Sequence, residues 1–91
     1  MEKMLSFLEV EKMYLVRTVT MIYTGKLVGV NEQEFLFEHV HWIAETERWN
    51  ESVKNVSFRE QEEYPVDRKV VIGRGALLDA VEIDKLPVGN K

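Results

Sequence analysis

The chain has 91 residues and no cysteine, which leaves room for one domain and excludes disulfides, thiolate metal sites and a cysteine nucleophile. Sixteen acidic residues against twelve basic ones give a formal net charge of -4, which argues against strong binding to duplex DNA or to an anionic membrane surface. No apolar run is long enough to span a bilayer and no secretory pattern opens the chain, so we expect a cytoplasmic protein.

The first third of the chain predicts a short helix and two strands. Residues 2–9 place apolar side chains at near-helical spacing, so we assign residues 1–12 to an N-terminal helix. β-Branched and aromatic residues fill positions 14–24, which predicts a strand, and a second apolar run follows at 26–30. Gly25 is therefore predicted to mark a tight turn or sharp bend between two antiparallel strands.

The middle of the chain predicts a third strand and an insertion. Residues 35–43 form the strand, and neither of its faces is wholly polar, so we expect both faces to be covered. Residues 44–67 are more acidic and form the insertion, with a short helix around Trp49 and Val53. The acidic run that follows this helix predicts a solvated loop or, as a second interpretation, a docking surface for a basic partner.

The last third predicts two further strands. Residues 69–72 form the fourth strand, Gly73-Arg74-Gly75 a tight connection, and residues 76–83 the fifth strand. Residues 84–91 are predicted to be a frayed tail.

Two segments of the sequence resemble the motifs of the Sm/LSm family. Residues 25–31, GKLVGVN, resemble the first motif, with a glycine, an apolar residue two positions on and an Asp or Asn six positions on. Residues 71–78, VIGRGALL, resemble the second motif, an apolar pair followed by Arg-Gly and another apolar strand. The resemblance implies a mostly β fold, a five-stranded Sm-like barrel of the SH3 type with an N-terminal helix and a helical insertion between strands 3 and 4. Because the chain lacks the basic tail of spliceosomal or bacterial RNA-chaperone members, a phage-type Sm-like protein is the expected context.

The resemblance also implies a homo-oligomeric ring. In Sm-like proteins the fourth strand of one subunit pairs with the fifth strand of its neighbour. The apolar, uncharged fourth strand favours such pairing on physical grounds, because an exposed edge strand must be covered and a chain of this size has a small core. The predicted interface residues are Val70, Val71, Ile72, Leu77 and Leu78.

Single-stranded RNA is the ligand that the resemblance implies, bound by loops at the pore. Asn31 takes the position that orders the first loop, and Arg74 takes the arginine of the second motif, next to Gly75. Gln33 is expected to read a base edge, and Phe35 or Arg74 to stack on a base. The nearby glutamates would repel phosphate, so a protein-interaction scaffold without nucleic acid is the alternative hypothesis.

Other chemistry finds little support in the sequence. His39 and His41 are predicted to share one strand face, but two ligands do not make a metal site, and we expect neither a metal nor a cofactor. The hydroxyls of Ser6, Ser52 and Ser57 stand in no nucleophile context, so we expect a binding protein rather than an enzyme.

Overall fold

Six antiparallel strands in one open sheet dominate the computed structural model, which describes residues 6–88. In chain order the elements are β1 (Met13–Thr18), β2 (Ile22–Val30), β3 (Glu34–Thr46), α1 (Trp49–Asn55), β4 (Phe58–Glu63), β5 (Lys69–Gly73), a 3-10 turn (Arg74–Ala76) and β6 (Leu77–Glu82). The strand order is β4-β3-β2-β1-β6, and β5 pairs with the first half of β3. The predicted mostly β fold class is confirmed.

The turn between the first two strands lies earlier than predicted. It falls after Thr18, whose hydroxyl accepts hydrogen bonds from the backbone N–H of Thr20 and Met21. Gly25 lies instead inside β2, where a Cβ atom would be 3.1 Å from Val40 Cγ2 and 3.2 Å from Phe37 Cβ. The prediction of a turn at Gly25 is wrong, because this glycine permits close packing of β2 against β3.

The N-terminal helix is not seen in the described part of the segment. Residues 6–12 form bends and turns, and residues 1–5 of the prediction lie outside the described residues. Glu11 and Lys12 exchange backbone hydrogen bonds with Leu27, at 2.7 and 2.9 Å. Pairing with β2 therefore satisfies the backbone groups that a helix would have satisfied internally.

A bulge bends β3 and separates the two histidines. The register with β2 changes between Thr24–His41 and Lys26–Glu38, so β3 carries an extra residue there, and His39 has a φ of 52°. A bulge moves the following side chains to the other face of the strand. His39 is exposed while His41 is buried, so the prediction that they share one face is wrong.

The insertion contains the predicted helix and an unpredicted strand. Helix α1 ends at Asn55, and the left-handed conformation of Val56 after it stops the helix. Strand β4 follows and pairs with the second half of β3. Its sequence FREQEE carries only two buried side chains, Phe58 and Gln61, which explains why apolar alternation did not reveal it.

The last two predicted strands are present as β5 and β6. The segment after them is partly packed rather than frayed, because Pro87 is buried and the Gln61 side chain donates to the Val88 carbonyl at 3.5 Å. Residues 89–91 of the predicted tail lie outside the described residues.

Two apolar clusters lie on opposite sides of β1. Tyr14 and Val16 belong to one cluster and Leu15 to the other, which α1 and β4 help to cover. Both faces of β1 are therefore packed against apolar side chains. Within residues 6–88, no helix has the length and apolar character that crossing a membrane requires.

Candidate functional site

Arg74 joins two loops that are far apart in the sequence. Its Nε and Nη2 atoms donate to the Asn31 carbonyl oxygen at 2.9 and 2.7 Å, and its backbone N–H donates to the Gln33 carbonyl at 2.9 Å. The loop after β2 and the turn after β5 therefore form one unit. We call the group of Asn31, Gln33, Phe35 and Arg74 the Arg74 cluster.

Asn31 shapes the loop after β2. Its side-chain oxygen accepts hydrogen bonds from the backbone N–H groups of Gln33 and Glu34, at 2.8 and 2.7 Å. Its own N–H donates to the Glu34 carbonyl at 3.0 Å. This Asx-type turn directs the Asn31 carbonyl toward Arg74.

Phe35 lies beneath Arg74 and is not open to a ligand. The guanidinium carbon is 4.7 Å from the centre of the Phe35 ring, a cation–π distance. The ring is only 3% exposed and belongs to the core. The expectation that Phe35 stacks directly on a base therefore needs correction, because core packing and Arg74 cover the ring.

Asn31 and Gln33 in the cluster are exposed and Arg74 is half-buried, so solvent reaches the cluster and the neighbouring Gly75. Gln33 is exposed, and a Cβ atom at the exposed Gly75 would meet nothing within 4 Å, so that position is open. Glu32 and Glu34 are also exposed and add negative charge to the loop that Arg74 contacts. An open groove of about 440 Å³ runs from Asn31 and Phe35 to Val71 on β5.

The predicted interface residues divide into two groups. Val71 and Leu78 are exposed, at 54% and 65%, on β5 and β6 respectively. Ile72 is buried in the core of its own chain, with Val70 and Leu77 partly buried against that core. The Ile72 side chain is therefore unavailable to a neighbour, while its backbone still lies in the strand that pairs with β3.

Each of these strands has one unpaired side within the described chain. In residues 6–88, β5 pairs only with β3, and β6 pairs only with β1. A bulge near Leu78 shifts the register between β1 and β6. Exposed apolar side chains on two strand edges that lack a partner are suited to strand addition.

A polar contact that the sequence did not predict fixes β6 to β1. Arg17 and Asp79 face each other in register and form an ion pair, with Nε to Oδ1 at 2.8 Å. The Arg17 guanidinium also lies 4.8 Å from the Trp49 ring on α1. The hydrogen bonds from Arg17 hold the pKa of Asp79 below its ordinary value and raise the pKa of Arg17. The sequence shows opposite charges on these two strands, but it does not give the register between β1 and β6 that brings Arg17 and Asp79 together.

Metal ligation finds no geometric support in the part of the chain that the structure describes. No group of three or more His, Asp or Glu residues there is placed to hold an ion.

Comparison with family models, curated proteins and solved structures gives no match for this chain. The geometry of its own residues therefore carries the functional argument.

Proposed function

We propose that the chain is an Sm-like subunit that assembles into a homo-oligomeric ring and binds single-stranded RNA through the Arg74 cluster. The observation that carries this proposal is the Arg74–Asn31 contact, since it unites the two segments that resemble the Sm motifs. A ring would repeat this cluster once per subunit around a shared pore. Its site of action would be the cytoplasm.

The sheet offers a route to the proposed barrel and ring. Bulges in β2 and β3 shift the register twice, and bulges increase strand bending and twist. Strong bending would curl the open sheet into an SH3-type barrel in which β5 and β6 each keep one unpaired side. Pairing of β5 in one copy with β6 in the next would satisfy both unpaired sides.

The proposed contact with RNA rests on the solvent-facing part of Arg74. Two hydrogen bonds and the Phe35 ring hold the guanidinium in place, which lowers the entropy that binding would cost. A planar cation held in this way can stack on a base and attract phosphate. Glu32 and Glu34 weaken the attraction for phosphate, so binding should be moderate and should depend on repetition around the ring.

Fluorescence polarisation with labelled oligo(U) and oligo(A) at low and moderate salt tests the proposal. Arg74→Ala should weaken binding by about fivefold or more, since loss of one stacked contact costs about 1 kcal/mol or more. Arg68→Ala is the matched control, because it removes the same charge from an exposed turn and should change affinity less than twofold. Absence of binding to the wild-type chain at low salt would reject the RNA function.

A protein-interaction scaffold is the second candidate. The observation that favours it is the acidic face of β4, where Glu60 and Glu62 are exposed, together with Glu32 and Glu34 beside Arg74. Such a surface would attract a basic protein partner and repel nucleic acid. If the chain assembles into a ring that binds neither oligo(U) nor oligo(A), the result would support this candidate over RNA binding.

A further inference from the structure

A second concave surface lies further along β3 than the Arg74 cluster. It is open to solvent and has a volume of about 380 Å³, within the size range of small-molecule sites. We call it the aromatic pocket, and its lining residues are Met21, Trp42, Glu62, Glu63, Tyr64 and Pro65. Neither the proposed ring nor the RNA site uses these residues.

Backbone pairing holds the main components of the aromatic pocket together. Trp42 on β3 lies in register with Tyr23 on β2 and with Glu62 on β4. The Tyr64 N–H donates to the Val40 carbonyl at 2.9 Å, which attaches the end of β4 to the same strand. The pocket is therefore built on three adjacent strands rather than on a long loop.

Tyrosine contacts further restrict one side of the pocket. The rings of Tyr23 and Tyr64 have centres 6.4 Å apart and planes inclined at 51°. The Tyr23 hydroxyl donates to the Met21 sulfur at 3.3 Å. This arrangement places Tyr64 and Met21 in contact with Tyr23 on one side of the pocket lining.

The charge of the lining selects the sign of a ligand. Glu62 and Glu63 are its ionisable carboxylates, and none of the lining residues is basic. Glu62 is exposed and forms no ion pair with any other residue between positions 6 and 88. Aromatic faces also carry negative electrostatic potential, so both components attract a cation and repel an anion.

The apolar part of the lining selects the type of cation. A metal ion would need several oxygen ligands, and Trp42, Tyr64, Met21 and Pro65 supply mainly carbon surface. A simple ammonium is strongly hydrated, whereas an alkylated ammonium presents methyl groups that favour contact with aromatic rings. We propose that the aromatic pocket binds a trimethylammonium group, with Trp42 and Tyr64 contacting its methyl groups and Glu62 balancing its charge.

Titration of the full chain with choline, followed by NMR, tests the proposal directly. The indole N–H signal of Trp42 should shift and saturate, while the signal of Trp49 on α1 serves as the internal reference. The neutral control is 3,3-dimethylbutanol, which has the shape of choline with carbon in place of nitrogen. We expect it to bind at least fivefold more weakly. Equal binding of the two compounds, or no shift of Trp42 with choline, would overturn the proposal.

Two matched variants separate charge from fold. Glu62→Gln should weaken choline binding about threefold or more, because it removes the carboxylate charge and keeps the shape. Glu60→Gln removes the same charge from an exposed position on β4 outside the lining and should change binding less than twofold. The same loss of affinity in both variants would contradict a specific role for Glu62.

A peptide titration identifies the source of the group. A short peptide carrying trimethyl-lysine should bind more tightly than its unmodified form, because only the methylated side chain fits the proposed chemistry. Tighter binding of this peptide than of choline would assign the group to a protein side chain, and equal binding would assign it to a free small cation. No preference for the methylated peptide over the unmodified one would overturn the proposal. A monomeric chain should bind as well as a ring, so this test does not depend on the proposed assembly.

Discussion

Gly25 and Gly29 both lie in β2, but they have different surroundings. A Cβ atom at Gly25 would be tighter than normal against Val40 and Phe37, at 3.1 and 3.2 Å. At Gly29 the nearest atom would be Leu36 Cβ at 3.4 Å, an ordinary van der Waals contact. Single residues of the same type therefore carry different structural requirements within one strand.

Substitution of these two glycines gives a matched prediction. Gly25→Ala should lower the free energy of unfolding by about 1–3 kcal/mol, because the core must move to admit the methyl group. Gly29→Ala should change it by less than about 0.5 kcal/mol, since the added contact there is ordinary. Urea denaturation followed by circular dichroism measures both. Equal effects of the two substitutions would mean that close packing is not the reason for Gly25.

Some secondary-structure elements are encoded by their own residues, and others depend on neighbouring strands. The helix around Trp49 and the strands β5 and β6 were predicted from their own residues. Strand β4 was missed because its polar sequence becomes a strand only beside the long β3. The bulge at His39 was missed because it depends on the register between β2 and β3, which no single segment encodes. In the candidate site, the motifs identified Asn31 and Arg74, but the burial of Phe35 depends on the whole core.

The ion pair between β1 and β6 should make stability depend on pH. The folded-state pKa of Asp79 is lowered by Arg17, so its contribution is fully present above the unfolded pKa of about 4. It is lost as the pH falls through the lower folded-state pKa. Thermal denaturation should show Asp79→Asn less stable than wild type at pH 7 and pH 5, with a difference that shrinks below pH 4.

An exposed carboxylate provides the control for this pair. Asp67→Asn removes a carboxylate that pairs with its neighbour Arg68 in an exposed turn. Its difference from wild type should be small at every pH. A difference for Asp79→Asn that persists unchanged at pH 2 would exclude the carboxylate charge as its cause.

At the scale of the whole molecule, two of the strand edges that are unpaired within residues 6–88, on β5 and β6, carry exposed apolar side chains. Val71 is exposed on one and Leu78 on the other, whereas Ile72 is committed to the core. The sequence identified both strands as interface candidates, but it could not separate outward from inward side chains. That separation required the pairing of β5 with β3 and of β6 with β1.

Charge at the β5 edge or the β6 edge should block the proposed assembly. Val71→Lys and Leu78→Lys should each convert the oligomer to smaller species in sedimentation velocity, because an exposed lysine opposes strand addition. Val66→Lys is the control, since Val66 is equally exposed but lies in the turn between β4 and β5. Circular dichroism should show the same β content in all three variants. A monomeric wild-type chain, or oligomers that survive both substitutions, would reject assembly through β5 and β6.

The two edges that the proposed assembly uses, β5 and β6, differ from each other, so subunits can pair in only one orientation. In the proposed assembly β5 of one copy pairs with β6 of the next. An open chain of copies therefore has one unpaired β5 and one unpaired β6 until its last copy pairs with its first. A copy disabled at only one end can still join a growing chain of subunits, but it terminates growth on that side. A minority of subunits that are defective at one edge would therefore prevent many intact subunits from closing into the proposed ring.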